Sequence, residues 1–242
     1  FDTHLTHIQQ DVAAGRYRAG PFWNLKCDKG RGLFRLHTFL DAKDLLILHG
    51  IVRKLERQLL RAAPSKSAYY SRSTRKAPSP TAPMPPGYPW FLWWRAFQKR
   101  ILRFSHAYQY LVSTDIAGYY DHIQHKFLRD CIQEHANCKR RVSDLLFYIL
   151  ESLTHRPDYI PNVFSGLPVL NYDAPRLLAH VFLYELDRAL SRVRGAEFTR
   201  WMDDINVGVI SQAKGRAVVS LICNVWTFAV LRVPDLTVTT AS

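Results

Sequence analysis

Cysteine is scarce in this chain: Cys27, Cys131, Cys138 and Cys223 are the whole complement, with no CxxC pair. That is too few for a disulfide scaffold and the wrong spacing for zinc, and it fits a reducing cytoplasm. Acidic residues are also short, 20 Asp plus Glu against 33 Lys plus Arg, leaving a formal charge of +13. Such an excess favours polyanionic partners, nucleic acid ahead of an acidic membrane surface, because each cation that neutralises a phosphate releases a counterion. Charge alone is equally satisfied by a merely soluble basic surface. Long apolar runs are missing, and nothing approaches the ~20 residues of a membrane helix, so a membrane span is excluded. The chain opens on Phe1, with no charged segment leading into an apolar stretch, so no secretory leader is expected and the sequence reads as a fragment.

What is present is core material. Hydrophobic residues make up 48% and aromatics 13% of 242 residues, enough for one large domain or two modest ones and against disorder.

Turn chemistry surrounds Lys29-Gly30-Arg31-Gly32. A helix is expected from near Asp41, with Asp44 in capping-box position; Leu45, Leu48, Val52, Leu55 and Leu59 recur at helical spacing, opposite a basic face. Residues 62–90 turn to Ser, Pro and Tyr. This is either a surface linker or a basic flap in which Arg72, Arg75 and Lys76 meet phosphates while Tyr69 and Tyr70 stack on bases. Trp90 to Ser105 predicts a helix that buries Trp93, Trp94, Phe97 and Ile101. Tyr108 to Ile116 has strand character, ends at Asp115, and leads into a helix carrying Tyr119, Tyr120, Ile123, Phe127 and Leu128. A helix capped by Asp173, with Pro175 in its first turn, buries Leu178, Val181, Phe182, Leu186 and Leu190. Phe198–Trp201 and Ile205–Ile210 then form a hairpin with Asp203 and Asp204 at its tip, where Ile205, Val207 and Val209 alternate with Asn206 and Gly208.

Asp115, Asp203 and Asp204 are the sharpest chemical signal in an otherwise basic chain. If their strands are neighbours, the carboxylates converge, and a like-charge pair ~4 Å apart costs about 4 kcal/mol at an effective dielectric near 20. A divalent cation relieves that repulsion. Carboxylates with room for water and phosphate suit Mg²⁺, and two such ions stabilise the attacking and leaving oxygens of phosphoryl transfer. Taken singly, Asp203-Asp204 is also what an ordinary turn contains and Asp115 what a helix cap contains. His4, His7 and the Cys131/Cys138 pair lack the second half of a metal site.

Val112-Ser113-Thr114-Asp115-Ile116-Ala117-Gly118-Tyr119-Tyr120 resembles motif A of reverse transcriptases, and Phe198-Thr199-Arg200-Trp201-Met202-Asp203-Asp204 resembles motif C. Between them, Gly166-Leu167-Pro168-Val169 through Ala174-Pro175-Arg176 to Glu185-Leu186-Asp187 is similar to motif B of bacterial abortive-infection and defence-associated members. The resemblance spans about residues 60–215 and implies an α+β right-hand polymerase: an antiparallel palm sheet with packed helices, fingers, and a thumb absent or truncated. The implied division is residues 1–106 as helical region and fingers, 107–212 as palm, with about 125–160 assignable to either, and 213–242 as an incomplete C-terminal palm.

By the same resemblance Asp115, Asp203 and Asp204 are catalytic, and Asp115, Ile116 and Asp203 hold two Mg²⁺ or Mn²⁺ ions. Tyr120 falls where the family's steric gate excludes ribonucleotides; Pro168, Arg72, Arg75 and Lys76 fall at the nucleotide site. The implied partners are an RNA template, a DNA primer and product, deoxynucleoside triphosphates and a noncoding RNA, in antiphage defence. Departures are specific: Val169-Leu170 where many members have Gln-Gly, Trp201 where Tyr or Phe is usual, and no lysine after Lys214 to serve motif D. These keep a second class open, a degenerate palm that binds nucleic acid without catalysis. A third reading is an RNA-templated RNA polymerase or a cyclase-like enzyme on a related palm.

Overall fold

Glycine-rich turn chemistry at 29–32 does fold the chain back on itself. After helix α1 (Asp2–Ala13), strands β1 (Trp23–Gly30) and β2 (Leu33–Phe39) form a separate antiparallel ribbon, with Trp23 opposite Phe39 and Cys27 opposite Arg35. The computed structural model describes residues 2–30, 32–71, 90–153, 164–169, 172–230 and 238–240.

Helix α2 (Ala42–Arg61) begins where its cap requires: the Asp41 carboxylate accepts from the Lys43 N–H at 2.9 Å. Its stripe Leu48, Ile51, Val52, Leu55 and Leu59 is buried. Asp44 does not close a capping box. Its carboxylate is wholly buried and taken by the Tyr17 hydroxyl and the Gly20 N–H, both at 2.7 Å, which ties residues 17–20 to the helix.

The second sheet has the order β3-β5-β6-β4-β7. Its strands are β3 (Ala68–Tyr69), β4 (Tyr110–Thr114), β5 (Ala196–Trp201), β6 (Asp204–Val209) and β7 (Val238–Thr240). β5 and β6 are an antiparallel hairpin, β4 lies antiparallel to β6, and the short β3 runs parallel to β5. β7 adds to the outer edge of β4, so the segment expected as an incomplete C-terminal part supplies the fifth strand.

Both faces of this sheet are covered, which changes the meaning of the alternation in β6. On one face, helix α3 (Trp90–Ala107) sets Trp94 edge-on to Trp201 at 5.1 Å, and Tyr108 packs so closely over Gly208 that a Cβ there would lie 2.4 Å from its ring. The other face meets α8 (Tyr184–Ser191) through Arg200 and Asp187, and α9 (Gln212–Val230) where Gly215 approaches Val112 and Val209. Ile205 to Val209 are therefore all buried, Asn206 and Gly208 included. In α3, Phe97 and Phe104 are the buried residues, while Trp93, Trp94 and Ile101 are half-buried.

Two helices expected as continuous are broken. The segment after motif A divides into α4 (Tyr119–His122) and α5 (His125–His135), because the main chain at the break bonds elsewhere: Gly166 N–H donates to Ile123 C=O at 2.9 Å and His125 N–H to Phe164 C=O at 2.9 Å. The helix expected across 173–190 divides at Leu183 into α7 (Asp173–Phe182) and α8. Its N-cap is Tyr172; Asp173 lies in the first turn and pairs with Arg176 at 3.7 Å. Helix α6 (Arg140–Ser152) and α5 pack with α7 against α2, joining the helical layer and the sheet in one apolar core. Among the described residues no helix is long and apolar enough to cross a membrane.

Candidate active site

A two-residue connection, Met202-Asp203, joins β5 to β6, and the Trp201–Asp204 pair closes it. Met202 takes φ 54°, the one positive φ at a non-glycine among the described residues, which matches the positive first position of a hairpin turn twisted like its strands. The β4–β6 ladder ends at Thr114 opposite Ile205, so the next residue of β4, Asp115, emerges beside Asp204 and the turn. Sequence neighbours 203 and 204 and the distant 115 thus arrive at one end of two adjacent central strands.

Electrostatics report the proximity. Burial pushes the Asp203 carboxyl up from an ordinary 3.8 to about 6; repulsion from Asp115 adds to this and Asp204 contributes, while its own N–H and the Arg35 guanidinium oppose the shift. Asp204 is raised by partial burial and by Asp115. Among the described residues no ion pair engages any of the three acids, whereas nine pairs tie Arg to Asp or Glu and a tenth sets His135 near Glu134.

These carboxylates are a suitable donor set for a hard cation, but not a closed one. Among the described residues no three His, Cys, Asp or Glu side chains form a ready-made metal cage, the aspartate trio included. Mg²⁺ does not need one, since it keeps several waters and takes one or two carboxylates plus substrate phosphates. The mutual repulsion of Asp115 and Asp203 is what such an ion would relieve. Ile116 has a buried side chain, 1% exposed, so only its main chain could serve as a ligand.

Gly118 makes the corner after Asp115. It sits at φ +58°, and a Cβ would lie 2.7 Å from the His122 ring, so the left-handed conformation and the close approach both call for glycine. The corner delivers Tyr120 beside the acids: burial raises its hydroxyl pKa, and Asp203 raises it further. Tyr119 is buried beside it, their rings 5.7 Å apart, with its hydroxyl donating to the Ala179 carbonyl of α7; Asp203 bears on it too. The loop of Gly166 to Val169 is hydrogen-bonded to the same corner, with Leu167 N–H donating to Tyr120 C=O at 3.0 Å. Pro168 is buried there and lines a cleft of about 220 Å³ shared with Asn24, Leu36 and Thr38 of the ribbon. Thr38 N–H donates to Val169 C=O at 3.2 Å, tying β2 to this loop.

Two cations that bear on Asp203 or Tyr120 were not among the expected site residues. Arg35 on β2 bears on both Asp203 and Tyr120, and Arg176 on α7 bears on Tyr120. The available signal for Arg35 was a basic hairpin, Lys26, Lys29, Arg31 and Arg35 around a Gly-rich turn, read only as turn chemistry. The basic residues expected at the nucleotide, Arg72, Arg75 and Lys76, lie outside the described residues, as does Leu170. His4 and His7 are on α1, and Cys131 and Cys138 are free thiols.

No protein-family profile and no curated protein matches this sequence. Among solved structures, it is similar to apo telomerase from Candida tropicalis truncated from the C-terminal domain. The TM-score is 0.57 at 10% identity, over 90% of this chain and 50% of that one. The chain thus spans half the length of that telomerase chain, and at this identity the likeness is one of fold alone, a shared α+β arrangement.

Proposed function

We propose that this chain carries the fingers and palm of a reverse transcriptase, extending a DNA primer on an RNA template by nucleotidyl transfer. The observation that carries the reading is the juxtaposition of Asp115 with the Met202-Asp203-Asp204 segment on neighbouring strands, acids that repel one another and form no ion pair among the described residues. The fold of a telomerase, itself a reverse transcriptase, supports it independently of the motifs. Residues 1–106 would form the helical region and fingers and 107–212 the palm, with about 125–160 assignable to either and 213–242 an incomplete C-terminal palm.

In this reading Asp115, Asp203 and the Ile116 main chain hold two Mg²⁺ or Mn²⁺ ions, and Asp204 adds negative charge beside them. When bound, the ions supply Lewis acidity at the attacking 3′-oxygen and the leaving pyrophosphate. The chain's own residues do the positioning. Asp203, with its carboxyl raised to about 6, is ionised and ready to ligate at neutral pH. Tyr120 stands where its ring would crowd a ribose 2′-hydroxyl, which selects deoxynucleoside triphosphates. Arg35, with Arg72, Arg75 and Lys76, offers charge to the triphosphate. Gly166, Leu167 and Pro168 line the cleft shared with the ribbon. The net charge of +13 favours the RNA–DNA duplex. A setting in cytoplasmic antiphage defence, with a noncoding RNA as further partner, rests on the motif B wording alone.

A second reading, a nucleic-acid-binding module without catalysis, is favoured by Val169-Leu170 and by the lack of a lysine after Lys214. Primer extension on an RNA template with Mg²⁺ and deoxynucleotides separates the two. Incorporation by the wild-type chain that Asp203→Ala abolishes is expected; binding of primer–template without incorporation by either form would leave only the module.

A further inference from the structure

Among the described residues the largest fully buried side chain is a charged one. Arg200, on the sheet face opposite α3, is 0% exposed, as is its partner Asp187 on α8. The pairing is bidentate: Nε donates to Oδ1 at 2.8 Å and Nη2 to Oδ2 at 2.6 Å. A buried ion pair is weak evidence for stability, because desolvating both charges offsets most of the attraction. The remaining donors show what else the guanidinium does. Nη2 reaches His180 C=O at 3.3 Å, next to the break between α7 and α8, and Nη1 donates to Met202 C=O at 2.8 Å.

Met202 is the strained residue of the turn, with φ 54°. Backbone in such sparsely populated regions persists only when its surroundings over-determine it. Here both of its peptide groups are held: its N–H donates to Tyr69 C=O at 3.0 Å on β3, and its C=O is held by Arg200. The peptide that begins at that carbonyl ends at the nitrogen of Asp203.

We propose that the Arg200–Asp187 pair is a positioning device for the acidic turn, in which Asp187 aims the guanidinium and Arg200 pins the Met202 carbonyl, so that the Asp203 carboxylate is held in register with Asp115. The pair thereby connects α7 and α8 to the site. It acts through the turn and touches neither substrate nor ion. The inference deepens the polymerase reading and rests on it.

The test uses the full chain in three forms: wild type, Arg200→Lys, and the apolar double variant Arg200→Met/Asp187→Leu. Replacing a buried pair with hydrophobic residues of similar volume leaves no unpaired charge, but the Met202 and His180 carbonyls lose their donor, so the double variant should still fold while melting below wild type. Two readouts follow, Mn²⁺ affinity by calorimetric titration without substrate, and kcat and KM for deoxynucleotide in primer extension. Losing a partner that orients a metal ligand typically costs ~10–100-fold in metal affinity or turnover. We expect a loss of that size in Mn²⁺ affinity and kcat in both variants, with KM unchanged. Variants that bind Mn²⁺ and turn over like wild type would overturn the positioning role while leaving the polymerase reading intact. Should the double variant fail to fold, Arg200→Lys, which keeps the charge but not the planar fork, decides the question alone. A wild-type chain that neither binds Mn²⁺ nor extends a primer removes the polymerase reading, and this inference with it.

Discussion

Replacing Asp203 by asparagine removes one charge from a site where charges repel, so the metal-free protein should gain stability, and only in a defined pH range. The carboxyl stands at about 6 in the folded chain against an ordinary 3.8, because it is buried and faces Asp115. At ~1.4 kcal/mol per pH unit, this corresponds to roughly 3 kcal/mol of strain carried by the ionised form. The folded state binds this proton more tightly than the unfolded chain does. Below 3.8 both states are protonated and the cost is absent; it grows as pH rises toward 6 and is fully present above. Asp203→Asn should therefore melt higher than wild type at pH 8 and level with it at pH 3.5. For a chain of this size ~1 kcal/mol moves the melting temperature by about 2–4 °C, which makes the difference at pH 8 as large as ~6–12 °C. Differential scanning fluorimetry across pH 3.5–8 in EDTA measures it. Millimolar Mg²⁺ should raise the wild-type melting temperature at pH 8 and do much less for the variant, since a ligand stabilises only the state that binds it. A pH-independent difference, or a variant less stable than wild type at pH 8, would refute the account of the site as a cluster of mutually repelling acids.

Four further outcomes are expected. Gly118→Ala forces a side chain into a left-handed φ of +58° and against His122, so denaturant titration should show a loss of about 1–3 kcal/mol, together with weaker Mn²⁺ binding as Asp115 is displaced. Tyr17→Phe leaves the buried Asp44 carboxylate with one partner instead of two and should cost about 1.5–3 kcal/mol in the same assay. Tyr120→Ala should admit ribonucleotides in primer extension; unchanged discrimination removes the steric-gate role. Arg35→Ala should raise KM for the deoxynucleotide more than it lowers kcat, and an unchanged KM would place Arg35 away from the triphosphate.

Much of the local structure was written in short-range pattern. The Asp41 cap, the 3.6-residue stripe of α2 and the strand–turn–strand pattern about Met202-Asp203 required only neighbours along the chain; the helix begins just after its cap, while the turn is tighter than expected, with Asp204 already paired to Trp201 as the first residue of β6. Where the pattern misled, a distant partner had changed the local outcome. Asp44 was available for a capping box until Tyr17 and Gly20 claimed its carboxylate. The helix after motif A ran on in periodicity, yet the loop at 164–166 took the hydrogen bonds of Ile123 and His125. Asn206 and Gly208 carried a polar, solvent-facing signature, and α3 covered them.

The candidate site divides along the same line. By itself the sequence determined which residues could do chemistry, since Asp115 and Asp203-Asp204 are the acids that end strands in a basic chain, with Tyr120 and Pro168 at fixed offsets from the motifs. Only the tertiary structure decided that β4 and β6 are neighbours, that Arg35 from a separate ribbon bears on the acids, and that Arg200 is buried with Asp187 beneath the turn. The physical reason is range. Turns, caps and amphipathic stripes are set by forces acting over a few residues, whereas carboxylate repulsion, burial and a guanidinium fork depend on groups that the fold alone brings together.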